Sequence, residues 1–237
     1  MQIVRLDFVA GARAARGIAV VIDVFRAFTV ACQAIAQGAQ RIIPFADAAA
    51  ALALKDAHPE FFAIGERQAR KIAGFDCNNS PSELERNAVA GRTVVHTTSA
   101  GTLGLASAGA ADVVLTGALV NAAAVCSYVR ALAPATLSLV RMGVDARERS
   151  DADDLCAELI AARLTGQPFD ERGIRERLRV SPEAHKFFDA SAEWAPERDF
   201  ELCTQLDRYD FVLRLTPQPD GLPALRPFPV QWRTPRP

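Results

Sequence analysis

Wholly apolar segments that alternate with helical patterns limit the folds open to this chain more than any other feature. The run 18–22 is apolar throughout and ends at Asp23, as in strands that are buried on both faces of a parallel sheet. The stretch 25–37 then has apolar residues at helical spacing, with Gly38 as a stop signal. Repeated units of this kind form right-handed crossovers. The pattern therefore predicts an α/β fold whose largely parallel sheet is covered on both faces.

The same reasoning predicts an ordered series of further elements. The predicted strands are 41–45, 61–64, 93–97, 112–116, 136–140 and 209–215, and the predicted helices are 47–57, 81–89, 103–108, 122–132, 155–164 and 197–206. Pro44 favours an edge position for the strand 41–45. We expect a single domain over 1–237, with a charged helical segment at about 165–206 and a proline-rich surface tail at 216–237.

The charge balance argues against partners that bind by net charge. The chain has 27 basic and 28 acidic residues, for a formal charge of −1, so we expect no nucleic-acid partner and no membrane partner. Five scattered cysteines without a CxxC pair disfavour a disulfide framework and a structural zinc site. The N-terminus has no signal-peptide pattern, and long apolar runs are missing. These features predict a cytoplasmic protein with a small-molecule partner, and they leave a homo-oligomer open.

Asp23 and Arg26 follow the first predicted strand. A carboxylate at this position suits Mg²⁺, which usually takes only one or two protein carboxylates. An N-cap for the following helix is an equally good interpretation. Arg26 in the first helical turn opposes the helix dipole and needs a negative partner, which an anionic ligand would supply.

Hydroxyl-rich turns follow two later strands. Thr97, Thr98, Gly101 and Thr102 join a strand to a helix, where free backbone N–H groups and hydroxyls suit an anion. Taken alone, an ordinary capped turn is the preferred interpretation. The turn that ends at Asn121 repeats the arrangement, and two such turns side by side favour a phosphate-sized pocket.

Acidic side chains precede the predicted helix 155–164. Asp151, Asp153 and Asp154 are favourable at a helix N-terminus, so we expect a structural role for one or two of them. Asp153 is also a candidate metal ligand. Cys156 is either a thiol with a lowered pKa or, more commonly, a small buried residue.

The densest group of functional side chains lies in the stretch 65–81. It combines carboxylate, guanidinium, amide and hydroxyl groups: Glu66, Arg67, Asp76, Asn79 and Ser80. Ligands of open α/β sheets bind at the carboxyl ends of strands, although Asn, Asp and Ser also cap turns and helices. Glycine spacings typical of P-loop and dinucleotide-binding proteins do not occur. We expect this group to meet Asp23 and Asp153 at a single edge of the sheet.

Taken in order, these segments resemble the 2-phosphosulfolactate phosphatase family of coenzyme M biosynthesis. The matching segments are 21–27, 65–67, 74–76 with 79–81, 97–98 with 101–102, Gly117 with Asn121 and Ala122, and Asp153 with 155–157. The resemblance covers about 18–165 and touches 207–211, and it departs from the family pattern at Phe28, Asn78, Ala100 and Glu158. It implies a three-layer α/β/α sandwich with a largely parallel or mixed sheet, and Mg²⁺-dependent hydrolysis of a phosphate monoester.

The resemblance also implies roles for individual residues. Asp23, Glu66 and Asp153 are candidates for holding Mg²⁺, directly or through water. Arg26 and Arg67 would clamp the phosphate or a second acid group, and Asp76 would transfer a proton. The groups expected to orient substrate oxygens are Asn79, Ser80, Thr97, Thr98, Gly101, Thr102 and Asn121. The expected substrate is 2-phosphosulfolactate or a related small anionic phospho-acid. The alternatives are a different phospho-acid enzyme and a divergent homologue that binds a phospho-ligand without turnover.

Overall fold

The computed structural model describes residues 1–230, which form a mixed ten-stranded sheet with helices on both of its faces. The strands are β1 (Gln2–Asp7), β2 (Ile18–Ile22), β3 (Arg41–Phe45), β4 (Phe62–Arg67), β5 (Arg70–Lys71), β6 (Thr93–Thr97), β7 (Val113–Gly117), β8 (Thr136–Arg141), β9 (Phe211–Thr216) and β10 (Ala224–Pro229). The α-helices are α1 (Phe8–Ala14), α2 (Ala27–Ala36), α3 (Ala48–Ala57), α4 (Pro81–Leu84), α5 (Gly101–Ser107), α6 (Ala122–Leu132), α7 (Asp151–Thr165), α8 (Ile174–Arg179) and α9 (Glu197–Cys203). Two 3-10 helices span Leu119–Asn121 and Pro182–Phe187. No helix within residues 1–230 is long and apolar enough to cross a bilayer.

Strand β2 shows why the sheet is covered on both faces. Side chains alternate between the two faces of a strand, and here Ala19 and Val21 join one core while Ile18, Val20 and Ile22 join the other. Helices α2 and α5 supply the first core, and α6 and α7 supply the second. The predicted α/β sandwich with a mixed sheet is therefore confirmed.

The sheet contains two groups of parallel strands that run in opposite directions. Its order is β1-β8-β2-β7-β9-β10-β3-β6-β4-β5. Strands β1, β8, β2 and β7 are parallel to one another, as are β3, β6 and β4. The hairpin of β9 and β10 lies between the groups and pairs antiparallel with β7 on one side and β3 on the other. Within the ladder the two groups are therefore antiparallel to each other.

Most predicted elements are present, and several have the predicted bounds. Strands β2, β3 and β6 and helix α6 begin and end at the predicted residues, while the other predicted elements have shifted ends. Strand β1 and helix α1 were not predicted. The strand lies at the edge of the sheet with partly exposed side chains, and the helix has no side-chain cap at its start. Strand β1 has no unbroken apolar run, and α1 has only seven residues, which are too few for a clear helical period.

The predicted edge position of β3 is wrong, because β3 lies between β10 and β6. Strand β10 pairs with β3 only at Leu225 and Ile42. Pro44 lies beyond that pair, so its missing N–H removes no ladder hydrogen bond to β10.

The prediction of a surface tail over 216–237 is also corrected in part. Ala224–Pro229 forms β10 inside the sheet, where Ala224 and Leu225 are fully buried. Residues 231–237 lie outside the described residues. The proline at the end of β10 suggested irregular structure, but the pairing with β9 outweighs that local signal.

Candidate active site

A cavity of about 640 Å³ opens where strands of both parallel groups end. From the first group, the segments after β2 and β8 contribute Asp23, Arg26 and Gly143. From the second group, Glu66 lies near the end of β4, and Ser99 and Ala100 follow β6. The two carboxyl-terminal edges thus face one space even though their strands run in opposite directions.

Asp23 lies on the cavity wall directly after β2. Its backbone N–H donates to the carbonyl of Gly117 at 3.2 Å, which continues the pairing of β2 with β7. The side chain is only 7% exposed, and its Oδ1 accepts a long 3.3 Å hydrogen bond from the Ala27 N–H. Burial raises the pKa of Asp23 to about 6, and the nearby negative charge of Glu66 adds to the increase.

Asp153 reaches the same cavity from the first turn of α7. Ser150 caps this helix, and the Asp153 carboxylate accepts hydrogen bonds from the backbone N–H groups of Val24 at 2.9 Å and Gly143 at 2.8 Å. Burial and, next, the charge of Asp23 raise the pKa of Asp153 well above its usual value. Asp153 therefore ties the loop after β2 to the loop after β8.

Glu66 contributes the third carboxylate. Its oxygens accept hydrogen bonds from the Ser99 N–H at 2.6 Å, the Ser99 hydroxyl at 3.1 Å and the Ala69 N–H at 2.7 Å. These contacts hold the carboxylate at the end of the second parallel group, across from Asp23. The structure thus brings together all three residues that were predicted to hold the metal.

The donor set suits a metal bound by few protein ligands. Within residues 1–230, no group of three or more His, Cys, Asp or Glu side chains is arranged to hold one ion directly. Direct coordination by Asp23, Glu66 and Asp153 together is therefore not found. Mg²⁺ usually keeps several waters and takes one or two carboxylates, so a site at Asp23 with water links to the others remains compatible with the geometry.

Arg26 lines the cavity, but its guanidinium is already engaged. Nη1 donates to Asp199 Oδ2 at 2.6 Å and to the Trp194 carbonyl at 2.9 Å, and Nη2 donates to the Ala69 carbonyl at 3.2 Å. Arg26 and Asp199 are both buried. The prediction that a ligand would supply the partner of Arg26 is wrong, because Asp199 supplies it from within the chain.

Arg67 and Asp76 do not line the cavity. Arg67 donates to the hydroxyl of Thr97 at 2.9 Å, and the Asp76 carboxylate forms an ion pair with Lys55 at 2.9 Å. The clamp and proton-transfer roles predicted for them have no support in their placement. The physical reason for Arg67 is that it follows Glu66 in β4, and adjacent residues of a strand point to opposite faces.

Most of the predicted substrate-orienting groups have structural contacts instead. The Thr98 and Thr102 side chains each accept a hydrogen bond from the other residue's backbone N–H. Ser80 caps α4 and donates to Asp199. Asn121 is fully buried, and its Oδ1 accepts from the Ala118 N–H. Six of the predicted groups lie outside the cavity lining, which corrects the prediction for them: Ser80, Thr97, Thr98, Gly101, Thr102 and Asn121.

Of the seven predicted groups, Asn79 lies at the cavity and Gly101 lies beside Asp23. Asn79 lines the cavity, and its Oδ1 contacts the buried His96 Nε2 at 3.2 Å. A Cβ placed on Gly101 would lie 2.8 Å from Asp23 Oδ2, so glycine leaves the space that the carboxylate needs. His96 is 1% exposed, so this contact lies in the core.

Several cavity residues were missed by the sequence reasoning. They come mainly from the loop after β8 and from the segment 182–194: Ser99, Asp145, Glu148, Arg149, Glu183, Lys186 and Trp194. Lys186 belongs to the 3-10 helix Pro182–Phe187, which has no amphipathic period that would identify the helix in the sequence. The one available signal was the hydroxyl of Ser99, next to the predicted turn residues.

The departures from the family pattern are distributed unevenly around the site. Ala100 lines the cavity, and Phe28 packs beneath it with its Cζ 3.1 Å from a Cβ placed on Gly101. Glu158 is exposed on α7. Of the two interpretations of Cys156, the small buried residue is correct and the thiol with a lowered pKa is not, since burial raises the pKa of Cys156.

Comparison with known proteins places these observations in a family. A family model described as 2-phosphosulpholactate phosphatase matches residues 7–218. A probable 2-phosphosulfolactate phosphatase of Deinococcus radiodurans is 41% identical over 148 residues, which is 62% of this chain and 61% of that relative. Relatives with the same description are 32% identical in Bacillus subtilis and 30% in Caldanaerobacter subterraneus, and both alignments span 83% of this chain and 86% of the relative.

Proposed function

The chain belongs to the 2-phosphosulfolactate phosphatase family, and we propose that it is a Mg²⁺-dependent hydrolase of a small phosphorylated hydroxy acid, 2-phosphosulfolactate or a close relative of it. The observation that carries the proposal is the meeting of Asp23, Glu66 and Asp153 at one cavity. Three carboxylates that face each other in a poorly solvated space favour a cation that offsets their charge. The cavity volume of about 640 Å³ lies within the usual range for small-molecule sites.

Asp23 is the proposed principal ligand of the ion. Its carboxylate accepts a long hydrogen bond from the Ala27 N–H, whereas Asp153 and Glu66 are held by short bonds from backbone N–H groups. Asp153 and Glu66 would therefore act from fixed positions, through water. When bound, Mg²⁺ supplies positive charge that offsets the negative charge of the phosphoryl oxygens.

The chain's own groups would prepare the cavity for the reaction. Asn79 presents an amide that is oriented by its contact with His96, and Ser99 fixes Glu66. Phe25 and Trp194 form apolar parts of the wall, which reduce the access of water. Electrostatic groups held in advance in such a low-dielectric space are the main source of catalysis in phosphoryl transfer.

The proposal is tested by measuring phosphate release from phosphorylated small acids, with sulfonated and carboxylated compounds side by side. We expect Mg²⁺-dependent release from at least one 2-phospho-acid and loss of release in Asp23→Asn. Asp112→Asn is the matched control, because Asp112 is exposed at the start of β7. Undiminished release in excess chelator would contradict the metal assignment. Stabilisation by Mg²⁺ and phosphate without any release would select the non-catalytic binding alternative.

A further inference from the structure

Three cationic side chains line the cavity within residues 1–230: Arg26, Arg149 and Lys186. Arg26 is paired with Asp199 at 2.6 Å, and Arg149 is paired with Asp154 at 2.7 Å. The ion pairs and side-chain hydrogen bonds formed among residues 1–230 include none to the Lys186 ammonium. Its ammonium group is therefore the cavity cation whose charge no carboxylate of the described chain neutralises by direct contact.

The backbone that carries Lys186 is fixed from two sides. The Glu183 carboxylate accepts hydrogen bonds from the Ser150 hydroxyl at 3.1 Å and the Ala152 N–H at 3.0 Å, which ties this 3-10 helix to the start of α7. Phe187 is buried against the second core. The Lys186 ammonium lies 5.2 Å from the centre of the Phe187 ring. The backbone position of Lys186 is thus set before any ligand binds.

The electrostatic surroundings of Lys186 agree with this picture. Burial, followed by the positive charge of Arg26, lowers its pKa, while the charges of Asp23 and Glu66 act in the opposite direction. The charges of the two carboxylates act on the pKa of Lys186, but neither carboxylate forms an ion pair with the ammonium. An ammonium left in this state gains most from a ligand oxyanion, since hydrogen bonds to charged partners are the strong ones.

We infer that Lys186 is the anion-binding residue of the cavity and contacts an oxyanion of the bound phospho-acid. This inference rests on the proposed function for the identity of the ligand. The oxyanion has two sources in such a ligand, the phosphoryl group and the second acid group. The chemistry is the same for both, so the experiment uses a probe for each.

The composition of the chain makes the test direct, because it contains only three lysines, Lys55, Lys71 and Lys186. Lys55 is paired with Asp76, and Lys71 is exposed on β5. Amine acylation of the full-length protein in Mg²⁺, read out peptide by peptide, therefore reports on each lysine separately. We expect inorganic phosphate, or a sulfonated hydroxy acid without phosphate, to slow the labelling of Lys186 and leave that of Lys71 unchanged.

Variants separate direct contact from blocked access. Lys186→Met is expected to weaken the binding of the protecting anion, measured by titration calorimetry, by about 10–100-fold, and Lys186→Arg is expected to recover part of the loss. Lys71→Met should bind like the unmodified protein. Equal protection by chloride at matched ionic strength, or unchanged anion affinity in folded Lys186→Met, would overturn the inference. Protection of Lys186 in a protein that releases no phosphate from any phospho-acid would instead refute only the proposed hydrolysis.

Discussion

Substitution of Gly101 by alanine tests whether the position of the Asp23 carboxylate matters. Gly101 is the first residue of α5, and an added Cβ would lie 2.8 Å from Asp23 Oδ2, 3.0 Å from Ala27 Cβ and 3.1 Å from Phe28 Cζ. Ordinary contacts of a Cβ begin at 3.4 Å, so the carboxylate must move by about 0.6 Å. Ala27 and Phe28 are buried behind it, which leaves the cavity as the direction of movement.

The expected loss is larger for activity than for stability. A misplacement of about 1 Å in an active site costs about 100-fold in rate, so we expect kcat to fall by about 10–100-fold. Overpacking costs about 1–3 kcal/mol, while replacing a helical glycine with alanine returns about 0.5–1 kcal/mol. The net cost of about 0–2.5 kcal/mol corresponds to a decrease in Tm of at most roughly 10 °C, so the variant is expected to remain folded at 25 °C.

The assay compares phosphate release and the Mg²⁺-induced rise in Tm for Gly101→Ala and Gly109→Ala. Gly109 is the matched control because a Cβ there meets no atom within 4 Å. We expect Gly101→Ala to lose turnover and most of the Mg²⁺ effect, and Gly109→Ala to keep both. Wild-type turnover in a folded Gly101→Ala protein would refute the assignment of a positioned Asp23 carboxylate to the chemistry.

Two further predictions concern buried groups around the site. Asp199 accepts hydrogen bonds from Arg26, the Ser80 hydroxyl and the Ser82 N–H. Asp199→Asn leaves the Arg26 charge buried without its partner, so the free energy of unfolding measured in urea titrations should fall by about 3–5 kcal/mol. A decrease below about 1 kcal/mol would contradict this prediction. Burial lowers the pKa of His96 to about 4, so as the pH falls the unfolded chain takes up a proton at this residue before the folded chain does. The contribution of neutral His96 to the free energy of unfolding is therefore complete above about pH 6.5 and should decrease towards pH 4 by up to about 3 kcal/mol. Urea titrations of His96→Gln over this pH range should show a correspondingly shallower decrease, and identical slopes would be inconsistent with a buried neutral imidazole.

The local signals that predicted the fold are strong where burial is strong. Strand β2 is buried at every position, and a strand buried in this way is visible in the sequence as an apolar run. Helix α6 ends before Pro134 for an equally local reason. Such signals do not describe which strands become neighbours, and so the reversed direction of the second parallel group could not be deduced from them.

Some errors about the site were avoidable, and others were not. Glu66 and Arg67 are consecutive residues of β4, so strand alternation alone shows that their side chains cannot both lie on the same side of the sheet. The partner of Arg26 is a different case. Asp199 lies 173 positions away in the chain, in a region with weak periodicity, and no spacing rule connects the two residues.

The late segment around 182–199 changes the electrostatic character of the cavity. The strand ends and the first turn of α7 contribute the carboxylates Asp23, Glu66 and Asp153, which alone would repel a phosphorylated acid. The segment adds Lys186 to the lining and, through Asp199, neutralises Arg26 without removing it from the wall. Lys186, the lining cation that pairs with no carboxylate of the described residues, therefore comes from a part of the chain outside the strand–helix units. For this reason the strand–helix pattern could predict the carboxylates of the site, whereas the proposed anion-binding lysine became visible only in the three-dimensional structure.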